Sequence, residues 1–131
     1  MFRLPNLALG ELEQHVLEAL WQKGPLPPAG VHHFLGNSTG RSINTVSSAL
    51  KRLYEKGLLH REKVSHAYVY SAKLSRTELQ KQFLNQIAHE LGGDEPSSFL
   101  AAFVDLAETY GEDTLRQLEQ LVSDKLSEGD T

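Results

Sequence analysis

The residues in this chain best suited to polar chemistry lie together at positions 41–63, RSINTVSSALKRLYEKGLLHREK. Ser42, Asn44, Thr45, Ser47 and Ser48 crowd the start of a segment in which Ile43, Val46, Leu50 and Leu53 recur at helical spacing. Short hydroxyls and amides compete for nearby backbone groups and are mediocre helix formers, so a helix meant only to pack gains little from them. A capping role accounts for Ser42, but not for four further small polar residues. With Ile43 and Val46 turned inward, Asn44 and Thr45 face out, and Ser48 extends that face one turn on. Such a face fits a groove about 12 Å wide, where Asn pairs with adenine and Thr offers a hydroxyl and a methyl. Base contacts are therefore expected from Asn44, Thr45 and Ser48. Arg41, Ser42, Lys51, Arg52, Arg61 and Lys63 are expected to hold phosphates, since backbone contacts position a protein and base contacts specify its site.

The charge distribution agrees. The whole chain of 131 residues carries a net charge of −4, but residues 41–77 carry +6 and residues 78–131 carry −9. A positive field is thus confined to the segment with the small polar residues, and the acidic remainder stays off nucleic acid.

These side chains must be held by their neighbours. LGELEQHVLEALWQKG places Leu9, Leu12, Val16, Ala19 and Leu20 on one helical face and stops at Gly24. PLPP breaks the chain, AGVHHFLG makes a short helix between Pro28 and Gly36, and NSTGRS is a loop. Ser42 caps the next helix and Gly57 ends it. LLHREKV and AYVYSA then alternate as a two-stranded hairpin turning at Ser65-His66. Ser75 to Glu78, SRTE, is a capping box for a helix through Leu79, Phe83, Ile87 and Leu91. After a break at GGDEPSS, SFLAAFVDLAETY and EDTLRQLEQLVSDKL form two more helices.

Helix–turn–helix followed at once by a hairpin is the winged-helix arrangement, and an isolated hairpin is marginal in water, so it must lie against the helices. The expected fold is mostly α with a small β-hairpin wing: a winged helix-turn-helix domain over 1–74 and a helical dimerisation domain over 75–131. The C-terminal helices carry more apolar residues than three short helices can bury. Self-association through Phe99, Leu100, Phe103, Val104, Ala107, Leu115, Leu118 and Val122 is the simplest sink, and an intramolecular three-helix subdomain is the alternative.

Other classes find less support. There is no cysteine, which excludes disulfides and thiolate metal sites and fits a cytoplasmic protein. No apolar run approaches the roughly 18 residues of a membrane span, and the N-terminus lacks the apolar core of a signal peptide. His32-His33 is the one close histidine pair, and adjacent helical residues do not share a face, so neither a metal nor a cofactor is expected. No G-x-S-x-G, P-loop or HExxH motif is present, and no enzyme is expected. A winged-helix protein-interaction module remains the rival; its third helix would expose apolar residues instead of hydroxyls and arginine.

INTVSSALKRLYEKGLLHREKVSHAYVYSA resembles the penicillinase-repressor family of bacterial transcriptional regulators (the BlaI, MecI and CopY proteins). ELE at 11–13, Trp21 closing the first helix, NTV before LKRLYEKGLL, and the YVY strand carry the likeness over residues 7–73. The resemblance implies a repressor that binds a palindromic operator as a homodimer, often through TACA/TGTA half-sites, and is released through a membrane sensor protease or a metal. Three departures stand out. Ala8, Leu9 and Gly10 replace the usual cap of the first helix. The wing tip is Ser65-His66 where Gly-Arg is usual, so His66 would be a pH-dependent substitute on the DNA backbone. The family's cut precedes a Phe that follows Asn, whereas Ala102-Phe103 stands here, which argues against release by that protease.

Overall fold

The computed structural model describes residues 9–36, 40–91 and 96–129. The first half of the expected NSTGRS loop and most of the GGDEPSS break lie outside them. The order of elements is α1 (Glu11–Lys23), α2 (Pro28–Leu35), α3 (Ile43–Glu55), β1 (Leu59–Val64), β2 (Ala67–Ala72), α4 (Arg76–Leu91), α5 (Ser97–Thr109) and α6 (Glu112–Gly129). This is the expected succession of three helices, hairpin and three helices.

The local signals act where they stand. α1 starts at Gly10 without a side-chain cap. Pro28 opens α2, where its missing N–H costs nothing. Ser42 caps α3, its Oγ accepting from the Thr45 amide at 3.2 Å. α3 ends in a Schellman motif. The Gly57 amide donates to Tyr54 O and the Leu58 amide to Leu53 O, both at 3.0 Å, with Gly57 at φ 82°. Ser75 and Glu78 form the reciprocal capping box, each backbone N–H donating to the other's side chain at 3.1 Å.

The described chain divides into two compact units, one up to Leu84 and one from Asn85. The first extends past the boundary expected near Ser75, because Leu79 on α4 is buried in its core and Phe83 packs beside it. That core is built by Leu12, Val16, Leu17 and Leu20 of α1, Val31 of α2, and Val46, Ala49, Leu50 and Leu53 of α3, closed by Leu59 and Tyr70 of the hairpin. The two strands pair antiparallel from Leu59↔Ala72 to Val64↔Ala67, leaving a two-residue turn at Ser65-His66. Ser65 takes φ 61°, which an L residue adopts at a cost and glycine adopts freely. Leu26, just after α1, exchanges two backbone hydrogen bonds with Tyr70 at 2.9 and 3.0 Å and ties the hairpin to the helices. Trp21 at the end of α1 donates its indole N–H to Leu74 O at 2.9 Å, and the Arg76 guanidinium lies over its ring.

In the second unit α5 and α6 pack against each other across Gly111 (φ 112°). Among its described residues Ala107 is the buried one, and the Phe99 and Phe103 rings meet edge to face at 5.1 Å.

The buried face of α3 begins later than its period suggests. Ile43 is 42% exposed and is not part of the buried face, which runs Val46, Ala49, Leu50, Leu53. Being the first residue of α3, it overhangs the core although its phase matches. Ala107, expected at an interface between copies, is already covered within its own unit.

Candidate nucleic-acid interface

α3 is buried along one face and polar along the other. Asn44, Ser48 and Lys51, at i, i+4 and i+7, are all exposed. Thr45 is half-buried, and its hydroxyl lies 3.0 Å from Ser42 Oγ. The two hydroxyls expected to reach DNA are thus engaged with each other at the start of the helix, and the Thr45 methyl remains for an apolar contact. Arg41 is exposed just before the cap, and its carbonyl accepts from the His32 Nε2–H at 3.0 Å, which joins α2 to the entry of α3.

The cations are arranged in two ways. Arg41, Lys51 and Lys63 are exposed, as is His66 at the wing turn. Arg52 and Arg61 are built into the fold. Arg52 Nε faces Glu13 Oε1 of α1 at 3.6 Å, and Lys56 Nζ lies 2.6 Å from Glu13 Oε2. Arg61 is sandwiched between the rings of Tyr54 on α3 and Tyr68 on β2, at 4.0 and 4.2 Å from their centroids. Its hydrogen bond to the Tyr70 side chain, reinforced by the nearby phenols, raises a pKa that is already high, so the guanidinium is a permanent charge. The sandwich fixes the wing against the end of α3.

Glu13, Lys56, Tyr54 and Tyr68 were not singled out from sequence. A signal for Glu13 existed: 13, 16, 17 and 20 follow the i, i+3, i+4, i+7 pattern, and Glu13 is the charged member of that set. Tyr54 and Tyr68 interleave with the basic stretch, but their meeting at Arg61 depends on the hairpin folding back. Ala102-Phe103, aligned with the family's cleavage point, lies inside α5.

The second unit presents a different surface. Leu100, Val104 and Val122 are exposed, while Phe99, Phe103, Leu115 and Leu118 are partly covered. Leu106, Tyr110, Leu121 and Leu126 are also exposed, Tyr110 to 75%. Phe103, Leu106, Leu118 and Leu121 line a shallow groove of about 270 Å³. Among the described residues, no helix is long and apolar enough to cross a membrane.

Comparison with known proteins adds the following. The Penicillinase repressor family profile matches residues 9–124. The DNA-binding domain of the repressor BlaI is 23% identical over 60% of this chain and 93% of its own, with a TM-score of 0.49. The Bacillus licheniformis BlaI monomer, solved with the blaP half-operator, matches at 23% identity over the same shares, with a TM-score of 0.47. The hsRosR-S4 protein is 13% identical over 93% of each chain with a TM-score of 0.51, a likeness of fold. No curated protein sequence matches.

Proposed function

Because the chain belongs to the penicillinase repressor family, whose members are winged-helix DNA-binding regulators and not enzymes, we propose that it represses transcription as a homodimer on a palindromic operator. The observation that carries this is the division of α3: Val46, Leu50 and Leu53 are sealed in the core while Asn44, Ser48 and Lys51 stand free on the other side. The N-terminal residues of such a helix meet base edges in the major groove. Asn44 and Ser48 read by hydrogen bonds, and Thr45 by its methyl. Arg41, Ser42, Lys51 and Lys63 hold phosphates, with His66 at the wing tip, and Arg52 and Arg61 contribute charge from fixed positions. The apolar face of α5 and α6 supplies the twofold contact, through Leu100, Val104, Leu115, Leu118 and Val122 with Phe99 and Phe103. A twofold dimer then reads two half-sites about one helical turn apart. Occupying a promoter in this way excludes polymerase in the cytoplasm.

A selection from randomised duplexes, followed by titration at several salt concentrations, tests this. The expected result is a palindrome, with affinity falling by a log–log slope of about −0.9 per neutralised phosphate. Equal affinity for selected and scrambled duplexes at every salt concentration would refute it.

A further inference from the structure

Glu13 is a charged side chain inside the first core, with 6% of its surface exposed. A carboxylate there is costly unless it is paired and hydrogen-bonded. Its oxygens are divided between two cations of α3: Oε2 takes Lys56 Nζ at 2.6 Å, and Oε1 faces Arg52 Nε at 3.6 Å. The two contacts differ in what they leave over. Lys56 is drawn in close. Arg52 keeps 50% of its side chain exposed, and its ion pair with Glu13 is made through the inner nitrogen of the guanidinium at a distance looser than a hydrogen bond, which leaves the group accessible to another acceptor. Arg52 also follows Asn44 and Ser48 at four-residue steps, on the face that stands free.

A long, flexible arginine loses side-chain freedom when it binds, and fixing it beforehand lowers that cost. A guanidinium held at one nitrogen still presents a planar pair of donors that matches the oxygens of a phosphate. Resting on the operator binding proposed above, we infer that Glu13 is a positioning residue for DNA recognition: it holds the Arg52 guanidinium so that its terminal nitrogens meet a backbone phosphate beside the half-site. Lys56 neutralises the second oxygen and joins α1 to α3, so the helix that reads bases and the arginine that sets its register are fixed from one buried point.

The test is a salt titration of the full chain on the selected palindrome. Glu13→Gln keeps the shape and removes the charge. It is expected to weaken binding on the order of tenfold per half-site and to reduce the salt slope by about one per half-site. Arg52→Ala should do the same, and the double variant should lose no more than either single one. Arg52→Lys, which leaves Glu13 and the positive charge in place, should keep the slope but lose affinity, because an ammonium has no planar pair of donors to offer a phosphate. Circular dichroism decides whether Glu13→Gln is folded, and Arg52→Lys stands as the test if it is not. An affinity unchanged in Arg52→Lys, additive losses in the double variant, or an increase of affinity and slope in Glu13→Gln would each overturn the inference. The last result would make Glu13 a competitor for Arg52. Loss of all preference for the palindrome in the unmodified chain would instead overturn the operator binding itself.

Discussion

In the unit that ends at Leu84, Val16, Val31, Val46, Leu50 and Leu53 have no exposed surface, and the apolar side chains come from three helices and a hairpin that surround them. In the unit that begins at Asn85, α5 and α6 bury Ala107 and leave Leu100, Val104, Leu106, Leu121, Val122 and Leu126 about half exposed or more. Both segments are comparably rich in leucine and valine. What differs is the number of elements available to enclose them, and a pair of helices has too much surface for its volume. The first unit encloses its apolar side chains within itself, whereas the second leaves an apolar stripe uncovered by its own helices. A core position and an interface position can therefore share the same residue type, and only enclosure distinguishes them.

The sharpest way to break this comparison is to place the same charge in each unit. Val46→Asp buries an unpaired carboxylate and should abolish folding of the first unit, at a cost above about 4 kcal/mol. If the proposed homodimer forms through α6, Val122→Asp should leave helical content intact and yield a monomer. Denaturant unfolding and sedimentation separate the two, and a Val122→Asp chain that keeps its dimer mass would show the α6 face lying elsewhere than in the contact.

A smaller effect is expected where the first unit joins wing to helix. Arg61→Met keeps the aliphatic stem but removes the charge between Tyr54 and Tyr68, and should destabilise the unit by about 1–2 kcal/mol. Thermal unfolding measures it. An unchanged midpoint would mean that the tyrosines alone hold the wing.

Ser65→Gly at the wing turn should raise stability by about 1 kcal/mol, since the positive φ is relieved. DNA affinity should hardly change, and a loss of stability would show that the serine side chain contributes more than its strained backbone costs.

The smallest effect is on the acid side. Hydrogen bonds from Arg76 and then Gln22 hold the Glu18 carboxyl below its usual range, and bonds from the Ser75 backbone and side chain do the same for Glu78. A carboxylate with a lowered folded-state pKa stabilises the fold above its unfolded value and ceases to as pH falls through the folded one. Stability of the first unit should accordingly decline below the normal carboxylate range. Glu78→Gln should flatten that decline slightly, and an equally steep decline in the variant would assign it to other carboxylates.

Much of the fold was legible because its signals are local. Ser42, Gly57 and the Ser75–Glu78 box act within a few residues, and the order of elements follows from such punctuation together with hydrophobic period. The exposure of Asn44 and Ser48 on the polar face of α3 was legible for the same reason. Ile43 was misplaced because period describes phase along a helix and not where the covering elements end. Arg52 and Arg61 were visible as cations. Their partners were not, since Glu13 lies on another helix and Tyr68 across a hairpin, and neither distance is written in spacing. The covering of Ala107 likewise depends on how α5 and α6 come together.

Trp21 is the chain's single tryptophan, and its indole N–H is bonded to Leu74 O at the entry to α4. The protein therefore carries one intrinsic fluorophore, placed where α1, the end of the wing and the first turn of α4 meet. Emission excited at the indole band comes from one environment and needs no label. Detachment of α4 from α1 exposes that ring to water and shifts its emission to the red, even while the helices that dominate the far-ultraviolet signal remain formed. Fraying at this junction can thus be timed separately from global unfolding.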